Sequence, residues 1–256
     1  MRQALDYSSG VPTGVAVKAA GYAGVFRYLK KTGASSVHTL SAFEYGDMIG
    51  HGVGVACIYE DTSPARMLAG RNAGANDALW AYGQAQKCGI TDPRCIYFTA
   101  DFDAQPAQFA AVDAYLDGAS SAIGAAKVGL YGGYNMIRHA QGNGKAKWLW
   151  QTMAWSHGQV APSINAVQRI QQATVDSVVC DVSDLLGLDW GQHPAPNTSK
   201  PGDPVTETEM DHLVDKILNA LDKAGDDTLA GSVTRGTKFI DAVAKRVKAF
   251  AANPNA

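Results

Sequence analysis

The run Cys95-Ile-Tyr-Phe-Thr-Ala-Asp-Phe-Asp103 is apolar almost throughout and stops on two carboxylates. A strand with no polar alternation needs cover on both faces, which is the situation in a parallel sheet flanked by helices. The same signature recurs at Gln3–Tyr7, Gly24–Leu29, Gly52–Tyr59, Lys127–Tyr131, Lys147–Trp155, 167–172 and 177–183. Through the first two-thirds of the chain these runs alternate with helix-length segments. Examples are the Ala-rich stretch 65–88, with Leu68, Ala75, Leu79 and Tyr82 at helical spacing, and 109–124 behind Pro106. Thr39 and Ser41 open another helix, with Ser41 and Glu44 spaced as a capping box. Strand and helix in alternation imply an α/β fold. About eight strands in the first 190 residues imply a (β/α)8, TIM-like barrel. Its last two strands are too close for a helix between them, so the closing strands should be degenerate. An open doubly wound sheet would need a Gly-rich phosphate loop, and no such motif is present.

The barrel is expected to occupy 1–190. A Pro-rich linker follows at 191–205, containing GQHPAPNTSKPGDP, and then a two-helix tail at 206–256. Met210, Leu213, Ile217 and Leu221 form one stripe of the tail; Ile240, Val243, Val247 and Phe250 form the other. Such spacing suits self-association or docking on a partner, such as a virion component, through residues 206–251. Packing on the chain's own barrel is the alternative.

A formal net charge of −2 over 256 residues gives no footprint for nucleic acid or anionic membrane. No apolar run nears the roughly 18 residues of a spanning helix. The N-terminus lacks the apolar core of a secretory signal. The expectation is therefore a protein made in the cytoplasm, acting at the cell wall as a phage lysin or carried in a virion. Cys57, Cys88, Cys95 and Cys180 lack ligand spacing and read as buried free thiols, with a Cys88–Cys95 bridge as the alternative. The histidines are scattered, so neither a metal nor a cofactor is expected.

In a barrel of this kind the carboxyl ends of the strands carry the site. Those ends hold Asp6, Arg27, Glu60, Asp101, Asp103, Tyr131, Tyr134, Gln151, Trp155, Gln172 and Asp181. Side chains two apart on a strand share a face, so Asp101 and Asp103 could face one cavity. Clustered carboxylates raise the pKa of one member and keep it protonated near neutrality. Glycoside hydrolysis needs that pairing: one acid protonates the leaving oxygen and another stabilises or attacks the anomeric carbon. Taken singly, each residue has a structural reading. A strand-end Asp can be a helix cap, Tyr and Trp can be packing, and Arg27 can be a structural ion pair.

The segments ALDYS (4–8), YFTADFD (97–103), GLYGGY (129–134), WLWQTMAW (148–155) and QQATVD with CDVSDLL (171–186) resemble the glycoside-hydrolase-like DUF1906 family, which is related to the family 25 lysozymes. The resemblance covers roughly 1–190. It implies a barrel that hydrolyses peptidoglycan glycan or, failing that, a glycan-binding module of an envelope or phage tail. It places Asp6 at the first-strand acid, Asp101 at the first acid of a D-x-E motif, Asp103 at the catalytic Glu and Asp181 at the last-strand acid. Arg27, Glu60, Tyr131, Tyr134, Gln151, Trp155 and Gln172 would line the sugar groove. Asp103 is one methylene shorter than Glu, and a displacement of about 1 Å can cost roughly 100-fold in rate.

Overall fold

The structure is a computed structural model and describes residues 2–29, 38–61 and 64–196. The expected tail, its proposed self-association and residues 197–205 of the linker lie outside the described residues. Eight strands close into one barrel in sequence order: β1 (Arg2–Asp6), β2 (Gly24–Tyr28), β3 (Gly54–Tyr59), β4 (Ile96–Thr99), β5 (Val128–Gly132), β6 (Trp148–Thr152), β7 (Ala166–Val175) and β8 (Val178–Leu185). β1 to β7 run parallel, and β8 returns antiparallel to both β7 and β1. The closing is degenerate for the expected reason. Only Asp176 and Ser177 separate β7 from β8, both with positive φ, as a tight hairpin turn requires.

The intervening helices are α1 (Gly14–Ala19), α2 (Ala42–Gly50), α3 (Gly70–Lys87), α4 (Pro106–Ile123) and α5 (Tyr134–Asn143). Ser41 caps α2 through Glu44 N. The reciprocal half of the expected capping box is missing, because the Glu44 carboxylate turns inward to Arg27 and Tyr7. On α3 the expected apolar stripe is corrected as well. Leu79 is 59% exposed, and the buried face is Ala73, Gly74, Asp77, Ala78, Ala81 and Ala85. Small residues win that face because α3 and α4 nearly touch. A Cβ on Gly74 would lie 1.9 Å from the Tyr115 carbonyl oxygen, and one on Gly118 would lie 1.9 Å from that of Arg71.

Alternation along the strands sorts the core into two layers. Leu5, Val25, Val55, Phe98, Leu130 and Val182 point outward and pack beneath the helices. Phe26, Ile58, Tyr97, Tyr131, Trp150 and Trp190 belong to a separate cluster inside the barrel. Trp190 plugs its amino-terminal end. The indole sits where a Cβ on Gly24 would fall, 2.4 Å from Cζ2, and Tyr97 Oη donates to the Trp190 carbonyl at 2.9 Å. Above it Phe26 meets Trp190 at 4.8 Å and stacks on Trp150 at 4.1 Å; Trp150 meets Tyr131 edge-on at 4.5 Å. The chain stays on the barrel past Trp190: His193 bridges to Val55, and the barrel unit runs to Pro196. The first residues of the expected linker are thus part of the barrel's base. All four cysteines are free and buried.

Gly74→Ala is expected to lower stability by roughly 1–3 kcal/mol or more, since the added methyl meets backbone that must shift. Urea unfolding of the variant against wild type measures this. An unchanged midpoint would mean that the α3–α4 approach is not a tight constraint.

Candidate active site

A cavity of about 170 Å³ opens at the carboxyl ends of the parallel strands, lined by Tyr28, Ile58, Glu60, Thr99, Asp101, Tyr131, Trp150, Gln168 and Asp181. Its floor is the top of the aromatic column, Trp150 and Tyr131. Its walls bring three carboxylates together from β8 and from the loops after β3 and β4. Asp6 lies beneath, 1% exposed, and accepts a hydrogen bond from Gln168 Nε2 at 3.0 Å. Asp181 pairs with Asp6 across the β1–β8 ladder and accepts from Gln172 Nε2 at 2.9 Å.

The electrostatics follow from crowding acids in a desolvated place. Burial, reinforced by the Asp181 charge, lifts the Asp6 carboxyl to about 7; Glu60 adds to the rise, while Gln168 and Arg27 oppose it. Asp101 as a residue is exposed at the rim, yet its carboxyl is desolvated enough for burial to raise its pKa. The Tyr28 phenol is held well above its usual range by burial, with Asp6, Glu60, Tyr131 and Asp181 contributing. The Tyr131 phenol is raised too, chiefly by burial.

The sequence-derived candidates fall into two groups. Glu60, Asp101, Tyr131 and Asp181 line the cavity, with Asp6 just below and Gln172 bonded to Asp181. Trp155 is half-buried against the aromatic cluster inside the barrel. The others point elsewhere. Asp103 is exposed and does not line the cavity. β4 ends at Thr99, so the two-residue alternation that should have aligned Asp103 with Asp101 no longer holds beyond it. Arg27 has the outward parity of β2 and is fully buried. Its guanidinium binds the Glu44 carboxylate, with Nε at 2.5 Å and Nη2 at 3.2 Å, donates to the Tyr7 carbonyl and lies over the Tyr7 ring. Gln151 also faces outward. It ties down the loop after β6 by donating to Ser156 Oγ at 3.0 Å and the Gln159 carbonyl at 2.7 Å and accepting from Ala161 N at 2.8 Å. Tyr134 is the first residue of α5 and packs with the outer layer.

Tyr28, Ile58, Thr99, Trp150 and Gln168 were not singled out from sequence. Inward parity finds the first four once Asp6 is known to face in. Gln168 was hidden because β7 continues as a hairpin past the barrel rim. The strand's end is at Val175, but the level of the mouth is at Gln168, opposite Thr152.

A group whose folded pKa is raised contributes most below its unfolded value, and that contribution is lost as pH rises through the folded value. The Asp6 contribution is therefore lost between about 4 and about 7. Asp6→Asn is expected to raise stability at pH 8 by at most about 4 kcal/mol, with a higher melting temperature, and to leave little gain at pH 4. Thermal melts across that range check it; a gain that does not grow with pH would show Asp6 to be unstrained.

A family model described as "Rv2525c-like, glycoside hydrolase-like domain" matches residues 15–189. The chain is 27% identical over 197 residues to the Mycobacterium tuberculosis (strain ATCC 25618 / H37Rv) protein named "Putative peptidoglycan hydrolase Rv2525c", covering 73% of this chain and 82% of that one. The crystal structure of that Tat-secreted protein in complex with L-tartrate superposes with a TM-score of 0.70 at 25% identity, covering 75% of this chain and 98% of the other. The modular autolysin LytC from Streptococcus pneumoniae, in complex with a synthetic peptidoglycan ligand, shares the fold with a TM-score of 0.52 at 12% identity, covering 71% of this chain and 46% of LytC. The expectation of a lysin made in a host cytoplasm or carried in a virion is corrected here: the Mycobacterium relative is a Tat-secreted protein. With the family model spanning most of the barrel, this chain belongs to the Rv2525c-like, glycoside hydrolase-like domain family.

Proposed function

We propose that the chain is a glycoside hydrolase acting on bacterial cell-wall peptidoglycan glycan. The single observation that carries this is the convergence of Glu60, Asp101 and Asp181 in one cavity over an aromatic floor, with Asp6 buried below. The name of the Mycobacterium relative supports the same substrate class. A cavity lined by acids, phenols and an amide, with no Lys or Arg among its lining residues, suits a neutral polyhydroxylated ring better than a phosphate.

In this reading Asp101 is the general acid. Burial favours its protonated form, and its place at the cavity rim lets it hand a proton to the glycosidic oxygen. Glu60 and Asp181 supply the negative charge that stabilises the oxocarbenium-like transition state or activates water. Asp6 acts from beneath, through Gln168 and the field it shares with Asp181. Tyr131 and Trp150 present the surface for the sugar, with Trp155 and Gln172 at its margins. Asp103, expected from sequence to be the acid, has no such role here because it does not line the cavity.

Reducing-sugar release from purified peptidoglycan tests the assignment. Asp101→Asn should lower the rate roughly 10²–10⁴-fold, and Asp103→Asn should leave it within a few-fold of wild type. Wild-type cleavage should fall as pH rises through the elevated Asp101 pKa. Loss of activity in Asp103→Asn with Asp101→Asn still active would return the acid to Asp103. Wall binding by wild type without any sugar release would make the barrel a glycan-binding module.

A further inference from the structure

Three side chains form a directed chain under the cavity wall. Tyr131 Oη donates to Gln168 Oε1 at 2.6 Å, and Gln168 Nε2 donates to Asp6 Oδ2 at 3.0 Å. A primary amide has two ends of opposite polarity, a carbonyl that only accepts and an NH₂ that only donates. An ionised Asp6 only accepts, so it must hold the NH₂ end. The carbonyl then faces Tyr131 and takes the phenol's single proton. What Tyr131 leaves for the cavity is an oxygen that can only accept.

Protonating Asp6 removes that constraint. Its new O–H can donate to the Gln168 carbonyl, and a half-turn of the amide then aims the NH₂ at Tyr131 oxygen. The phenol proton is freed toward Thr152 and the cavity. Both arrangements keep Asp6, Gln168 and Tyr131 bonded to one another, so neither breaks a hydrogen bond of the relay. Asp6 is buried among Asp181 and Cys180 on β8, Glu60 after β3, and Arg27 and Tyr28 on β2; the Tyr131 phenol is also hydrogen-bonded with the Thr152 side chain on β6 and lies near Asp101 after β4 and Glu60. Burial first, and then the charges of Asp181 and Glu60, outweigh the opposing Gln168 bond and Arg27 guanidinium and bring the Asp6 titration to about 7.

We propose that Gln168 is a positioning residue that transmits the charge of Asp6 to Tyr131, so that the cavity wall offers a hydrogen-bond acceptor when Asp6 is ionised and a donor when Asp6 is protonated. This deepens the reading of the cavity as a sugar pocket and depends on that reading only for its consequence. A hydroxyl can satisfy either polarity. The acetamido group of an amino sugar cannot: its N–H needs the acceptor wall and its carbonyl needs the donor wall. The state of Asp6 thus selects which end of an acetamido group Tyr131 holds.

The test is carbon-13 NMR on the full chain, labelled at tyrosine Cζ and aspartate Cγ, titrated from pH 5 to 9. Tyr131 Cζ should shift with the same midpoint as the Asp6 carboxyl. In Gln168→Leu, Asp6 should still titrate, with its midpoint about one unit higher for loss of the amide bond, and Tyr131 should no longer follow. Asp6→Asn keeps the shape, removes the charge and should abolish the Tyr131 inflection. A wild-type Tyr131 that ignores the Asp6 titration overturns the proposal, as does a response of equal size in Gln168→Leu. An inflection that persists in Asp6→Asn overturns it too, with no reliance on the leucine variant folding. None of these readouts needs glycan cleavage, so a failure of sugar release would strike the proposed function and leave this inference standing.

Discussion

An eight-stranded barrel has an interior just wide enough for side chains to fill, and what fills this one decides where its cavity lies. Trp190, Phe26, Trp150 and Tyr131 make a column from the amino-terminal base to the mouth. Glycines at the base, Gly24 and Gly54, give the Trp190 indole its place. The column stops short at the carboxyl end, and that shortfall is the cavity. A barrel packed with aliphatic residues to its rim would have the same topology and no pocket. Closing the base with a residue from beyond the last strand also makes the segment after β8 part of the fold.

The second constraint is charge. Four carboxylates gather at the mouth, and the one cation among the strand-end candidates, Arg27, is turned out between sheet and helices. There it is matched by Glu44, with Tyr7 donating to the same carboxylate at 2.8 Å. Breaking such a buried pair is costly, which holds α2 against β2 and fixes the backbone just after Asp6. Arg27 therefore steadies Asp6 from behind without cancelling the acidity of the mouth. The outcome is a site that opposes stability locally, with Asp6 buried beside the Asp181 charge, as expected where local rules yield to chemistry.

Much of this was legible along the chain. Unbroken apolar runs demanded a sheet covered on both sides, and the short separation of the last two runs demanded a hairpin closure. Asp6, Glu60, Asp101, Tyr131 and Asp181 could be picked out because strand ends in such a barrel meet at one rim. Three of the errors share one cause. Arg27, Gln151 and Tyr134 were chosen by nearness to a strand end, and nearness does not say which face a residue takes. A shift of one residue reverses that face.

The sequence by itself determined the barrel, its order and the acids available to its mouth, because apolar periodicity and length are properties of the chain read locally. Only the tertiary structure decided which acids meet. Asp103 leaves the cavity because β4 ends at Thr99 and a loop obeys no two-residue alternation. Gln168 enters it because β7 runs past the rim into the hairpin, so the mouth is level with the middle of that strand. Both outcomes turn on register between strands, which is set by pairing across the barrel.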